Sequence, residues 1–294
     1  MTEFLGFATS GILVGALYSI VALGVVLIFK TTQVFNLAQG EMLLIGTWLG
    51  WAAIAWWHLP IWLAFIVALV LSAVVGMVIE RFVMRPMVGQ PLMAMIMITI
   101  GILSVLRGIS LYFWGGPTQA FPRMFPAEGL QIGALSVSLQ HLYAAGIAVI
   151  LVVLTYAYFR YTRGGLAMRA MAEDHQVAQS VGLSVTRGFS RAWMLSAIVA
   201  TAGGILLGST VGVDFSLSDI GLKAFPVVML GGFESIPGVL LAGPIMGLCE
   251  FLGAGYVDPL VGGGIGEIMP FVVMLIVLLF RPYGLFGYKT IERV

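Results

Sequence analysis

Long apolar runs, each closed by a charge or a proline, make up most of this 294-residue chain. Leu5 to Phe29 is 25 residues without a charge and stops at Lys30. About 20 helical residues suffice to cross a hydrocarbon core, so this run predicts a first span. Met42 to Ile79 is also uncharged but too long for one crossing. Trp56, Trp57, His58, Leu59 and Pro60 mark an interfacial turn inside it, predicting two helices closed by Glu80, Arg81 and Arg85. Pro91 to Trp114 predicts a fourth span, unusual in holding Arg107 within its apolar pattern. Gly115 to Gln140, with Pro117, Pro122 and Pro126, reads as an external loop with room for a short interfacial helix. His141 to Phe159 follows as the fifth span.

The last third is more broken. Ala192 to Val213 is a full span, but Ala224 to Phe233 offers 10 uncharged residues, Ser235 to Cys249 offers 15 and Ile268 to Phe280 offers 13. Runs this short predict half-helices, or helices carrying buried acids, which membranes accept only inside a bundle or along a cavity. The break is expected around Glu234, where Gly231, Gly232, Pro237 and Gly238 cluster. The whole pattern predicts an all-α polytopic membrane protein with eight or nine transmembrane segments, some discontinuous, forming a single transmembrane domain over residues 1–294.

One polar stretch interrupts this pattern. Residues 160–191 hold Arg160, Arg163, Arg169, Glu173, Asp174, Arg187 and Arg191, seven of the 27 charged residues (14 basic plus 13 acidic). Leu166 to Val181 is rich in helix formers, Gly164 and Gly165 free its entry, and Gly182 stands where a left-handed C-terminal cap is expected. Ala167, Ala170, Met171, Asp174 and Ala178 recur at three- and four-residue spacing, giving a narrow small-residue face. Such a face suits either a solvated connecting loop or close docking in the groove of another protein.

Composition and charge narrow the picture. With 60% hydrophobic and 9% charged residues, the chain is far more apolar than a soluble domain. A net charge of +1 supplies no basic field, so nucleic acid is not an expected partner, whereas the lipid bilayer is. Cys249 stands alone within an apolar run and reads as a buried small hydrophobe. Glu3 precedes the first apolar run with no basic residue, so that helix is expected to be retained rather than cleaved. If the N-terminus is outside, 11 of the 14 basic residues become cytoplasmic, leaving only Arg123 and Lys223 outside or near the outer face and Arg107 within the membrane. That places residues 160–191 and the C-terminus in the cytoplasm.

The candidate chemistry is sparse. His58, His141 and His175 are dispersed, no nucleophile is partnered, and no metal-ligand spacing occurs, so neither catalytic nor metal residues are assigned. No Gly-Lys dipeptide exists, which excludes a phosphate-binding loop. Asn36-Leu-Ala-Gln39-Gly40-Glu41 is the most polar point of the N-terminal half. It reads as a capping box opening a helix, or as an oriented helix N-terminus lining a path for a polar solute. Thr99 and Gly101 are polar or small points in an otherwise apolar helix and join Asn36, Gln39, Gly40 and Glu41 as candidate path residues. Arg107 and Glu250 are the strongest intramembrane charges, each costing about 2.5–3.5 kcal/mol unless partnered or wetted. They are expected to pair with each other, unless Arg107 snorkels to an interface. Gly11/Gly15, Gly46/Gly50, Gly204/Gly208 and Gly243/Gly247 show the small-xxx-small spacing of close helix packing.

Three stretches carry a resemblance. Gly15 to Gly24 (GALYSIVALG) with Asn36 to Glu41 is the first; Arg169 to Asp174 (RAMAED) through Gly182 to Gly208 is the second. Gly231 to Gly238 (GGFESIPG) with Arg281 to Gly287 (RPYGLFG) is the third. In this order the chain resembles the integral-membrane permease of the branched-chain amino-acid ABC importer family, in its shorter subunit type. The resemblance implies a multi-pass protein of the bacterial cytoplasmic (inner) membrane, not itself an enzyme, that binds no cofactor directly. It implies an external solute-binding protein, a second permease subunit of a different, longer type, and two cytoplasmic ATPase subunits that hold the ATP. It implies that Gly165, Arg169, Ala170, Glu173, Asp174, Ala178 and Gly182 belong to a cytoplasmic coupling loop docking on the ATPase. Glu234 departs from the family pattern, where a small or uncharged residue is expected. The alternative reading is a gradient-driven secondary transporter or channel for a small polar solute.

Overall fold

A computed structural model describes residues 2–122, 124–126, 129–132, 135–173 and 175–287. Among them, six helices are long and apolar enough to cross a membrane. Two of these form the centre. Helices α1 (Thr2–Thr32) and α8 (Val185–Val211) are mostly buried and pack against each other. Around them lie α2 (Gln39–Ala55), α3 (Ile61–Ile79), α4 (Leu92–Trp114) and α5 (Leu139–Tyr161). Two shorter helices follow, α6 (Arg163–Glu173) and α7 (His175–Ser180), which precede α8. The chain then forms α9 (Ser216–Gly231), α10 (Ile236–Leu252), a π-helical turn over Gly253–Val257, the four-residue α11 (Asp258–Val261) and α12 (Ile265–Phe280). Glu80–Met84 forms a second π-helical turn, where Glu80 is buried and pairs bidentately with Arg85 at 2.9 and 3.1 Å.

The glycine pairs explain how the centre closes. A Cβ at Gly11 would strike the Gly247 carbonyl at 2.6 Å, and one at Gly15 would strike the Gly243 carbonyl, so α1 and α10 meet backbone to backbone. The second set works between α2 and α8. There Gly46 faces Thr201, Gly50 faces Ile205, and Gly204 and Gly208 face Thr47. Small residues let helices approach where lipid removes the hydrophobic drive for association, and dispersion contacts then hold them.

One local expectation is corrected, while residues 166–173 and 175–180 are helical as expected, in α6 and α7; Asp174, between them, lies outside the described residues. The connection after α4 contains a short antiparallel hairpin, β1 (Gly129–Ile132) with β2 (Leu135–Ser138), rather than an interfacial helix. Of the two forms expected for the short runs, α10 takes the second: with the turn and α11 it reaches 26 residues and carries the buried acid Glu250. The expected break does occur between Gly231 and Ile236, with Gly232 at φ +98°.

Candidate functional site

Helix α2 begins inside the bundle. Gln39 is fully buried against Ser196 of α8, whose hydroxyl lies 2.8 Å from the Gly24 carbonyl of α1 and 3.0 Å from Gln39 Oε1. Gly24 is eight residues short of the end of α1, so residues 33–38 return about 12 Å along it before α2 starts. Asn36 does not cap α2. Its Oδ1 accepts from the Ala38 amide at 3.1 Å and its Nδ2 donates to Gln39 Oε1 at 3.1 Å, which turns the chain but leaves Ala38 as the N-cap without a side-chain bond. The capping-box expectation is therefore corrected: Gln39 reaches the Asn36 side chain and Ser196, not the Asn36 backbone. Thr99 of α4 joins from the other side. It is fully buried, approaches the Phe35 carbonyl at 3.4 Å and receives the Leu37 amide at 3.5 Å. Gly101 does not join this cluster; it lies on an exposed apolar hollow between α2, α3 and α4.

The N-terminal turn of α9 meets that of α2. A Cβ at Gly40 would collide with the Ser218 carbonyl and approach Gly221 at 3.2 Å, so Gly40 serves close packing. At 17 and 16 residues, α2 and α9 are each about 25 Å long, short of a full hydrocarbon core. Before α9, Asp214 accepts from Thr118 at 3.1 Å and from Ser216, and the Ser216 hydrogen bond holds its carboxyl below the usual range. Gln119 bridges to Val213, which ties the connection after α4 to the end of α8.

The intramembrane charges find other partners than expected. Arg107 does not pair with Glu250; its Nη1 lies 3.6 Å from Glu41 Oε1, and its guanidinium stands 5.7 Å from the centre of the Phe215 ring. Glu250 pairs with Lys223 of α9 at 2.6 Å. Helix rotation decides this: α4 adjoins α2, whereas α10 packs on α1 and α9. Lys223, expected outside or near the outer face, thus points into the bundle, with Tyr18 of α1 beside the same carboxylate. Sequence reasoning missed Lys223, Ser196 and Asp219 as site residues. Lys223 and Asp219 share α9, and Ser196 is one of several hydroxyl residues on α8, so only what each faces distinguishes it.

The other end of the bundle gathers the polar stretch. Lys30 Nζ donates to the Glu234 carbonyl at 2.8 Å, and Gln33 donates to the Glu234 carboxylate at 3.3 Å, so this acid links α1 to the break before α10. Arg169 turns inward, donating to the Arg160 carbonyl at 3.2 Å and lining a polar cavity with Lys30, Arg160 and Glu234. Gly165 rests on the Phe159 and Tyr158 backbone, and Met168, Met171 and Ala178 are buried. Ala170 is half-buried, while Glu173 is exposed. Gly182 has φ +82°, and the Leu183 amide bonds back to the Ala178 carbonyl at 3.0 Å, the left-handed cap expected of it. The outer face of α6, α7 and the cap carries exposed Leu166, Val177 and Val181, the last 71% exposed.

Comparison with known proteins adds to this geometry. A family model described as "Branched-chain amino acid transport system / permease component" matches residues 7–278. The high-affinity branched-chain amino acid transport system permease protein LivH of Salmonella typhimurium is 29% identical, covering 99% of this chain and 98% of the relative. LivH of Escherichia coli is likewise 29% identical over the same shares, and BraD of Pseudomonas aeruginosa is 27% identical with 99% and 98% covered. The chain therefore belongs to the family of branched-chain amino acid transport system permease components.

Proposed function

We propose that this chain is a permease subunit of an ATP-driven ABC importer that moves branched-chain amino acids through the bacterial inner membrane. The observation that carries the reading is the likeness of nearly the whole chain to permeases of high-affinity branched-chain systems. An external solute-binding protein delivers the amino acid, a second and longer permease completes the path, and two cytoplasmic ATPases supply the energy. The N-terminus is outside and the C-terminus cytoplasmic. Eight or nine segments enter the bilayer, with α2 and α9 as shortened spans whose N-termini meet inside it.

Asn36, Gln39, Gly40, Glu41 and Thr99 belong to the inner wall of the path, supported by their convergence where α2 starts. Gly101 sits apart and is assigned to the face that meets lipid or the partner permease. Residues 160–191 form the coupling element. Its buried face, with Gly165, Met168 and Ala178, fastens it to α5 and α8, and Gly182 sets its exit. Ala170 and Glu173, with Leu166 and Val181, face the ATPase; Arg169 transmits the movement inward through Arg160 and the cavity beside Lys30.

Substituting Leu166→Asp with Val181→Asp tests this. Both residues are exposed, so the permease is expected to insert and assemble with its partner permease. Leucine uptake falls by at least about tenfold, because a docking face loses its apolar contacts. Uptake at the unsubstituted rate would remove the coupling assignment.

A further inference from the structure

Arg107 is an exposed charge in the middle of an apolar helix. Its side chain is 44% exposed, and its neighbours along the outer side of α4, Ser104, Val105, Gly108 and Ile109, are exposed as well. Lipid tails cannot solvate a guanidinium without a penalty, so this spot faces water or protein. The spot is not isolated. Glu41, 2% exposed, points at Arg107 from α2, and its second oxygen, Oε2, is buried without a hydrogen bond. Ser218 stands beside this carboxylate, but the Ser218 hydroxyl donates to the Phe215 carbonyl at 2.8 Å. Asp219 is exposed and acts electrostatically on Glu41; it follows Phe215 by one helical turn, on the same side of α9.

The cluster thus holds one cation and two anions, with an unused buried carboxylate oxygen at its base. Two helix N-termini, those of α2 and α9, start at the same place. A group that carries an ammonium and a carboxylate on one carbon complements this set, since its carboxylate meets the one cation, its ammonium meets the two anions, and the ammonium supplies the missing donor to Glu41. We propose that Arg107, Glu41 and Asp219 form a site for the charged backbone of an α-amino acid, Arg107 taking the α-carboxylate and Glu41 with Asp219 the α-ammonium. The Phe215 ring leaves an apolar surface beside it for an aliphatic side chain. This rests on the import reading above and adds where, within the path, the solute pauses and by which groups it is held.

A cysteine reporter tests the site. In cells carrying the complete importer, with Cys249→Ala as background, Ser216→Cys places one thiol at the exposed start of α9, outside the three proposed groups. A membrane-impermeant, water-soluble thiol reagent is expected to label it, and leucine in the medium to slow labelling several-fold. Adding Arg107→Gln is expected to abolish the protection by leucine while leaving labelling in its absence unchanged. Labelling that never occurs, or that leucine does not slow while the reporter strain still imports leucine, would overturn the site. Protection that survives Arg107→Gln would also overturn it. If the unsubstituted importer takes up no amino acid at all, the import reading fails first and the ligand of this site falls with it.

Discussion

Lys223 and Glu250 place opposite charges 2.6 Å apart inside an otherwise apolar bundle, with Tyr18 alongside. Removing one member strands the other in low dielectric, which costs more than the pair contributes. Lys223→Met is therefore expected to destabilise the purified permease by about 3–5 kcal/mol, read as a lowered melting temperature in detergent. The double substitution Lys223→Met with Glu250→Met should recover most of the loss, because two apolar side chains replace a matched pair. A single variant that melts like the unsubstituted protein would show that the pair is solvated. Glu250 was legible in the sequence as an acid in an apolar run; its partner was not. Partnering depends on the rotation of α9 relative to α10, which no spacing along one helix encodes. The same limit hid the link between Arg107 and Glu41, and the apolar hollow on which Gly101 lies.

At the scale of elements, apolar runs bounded by charges or proline located five helices with small errors at their ends. They work because each helix must satisfy its own backbone within lipid. Glycine spacing carried packing as well: the pairs on α1 and α10 meet each other directly, while those on α2 and α8 receive Thr201, Ile205 and Thr47 of the facing helix. Gly243→Ala is expected to force α1 and α10 apart, since the new Cβ would collide with Ser19 and the Gly15 carbonyl. A loss of about 1–3 kcal/mol follows from such overpacking, measurable as a lower melting temperature, whereas Gly146→Ala, with open space around it, should change nothing. Equal behaviour of the two would contradict the close-packing account. The hairpin of β1 and β2 was not legible because four-residue strands alternate too briefly to separate from a proline-rich loop.

The whole molecule has one well-buried side and one open one. Helices α1, α8 and α10 pack densely, while α4 leaves most of its length exposed and borders an apolar hollow of about 810 Å³ lined by residues such as Ile45, Val78 and Val105. In the import reading proposed above, a single subunit of this shape is assigned one wall of the path, and a second permease the other. The partners proposed above are implied by family resemblance alone, since they lie outside the chain, whose exposed apolar positions include Leu166 and Val181. The central claim is that cytoplasmic ATPases drive this permease, and purification from its native membranes in mild detergent tests it most directly. An ATPase is expected to co-purify in stoichiometric amount and to hydrolyse ATP faster when the leucine-loaded external binding protein is added. An intact permease pair that carries no ATPase, in cells whose leucine uptake follows an ion gradient, would contradict the account.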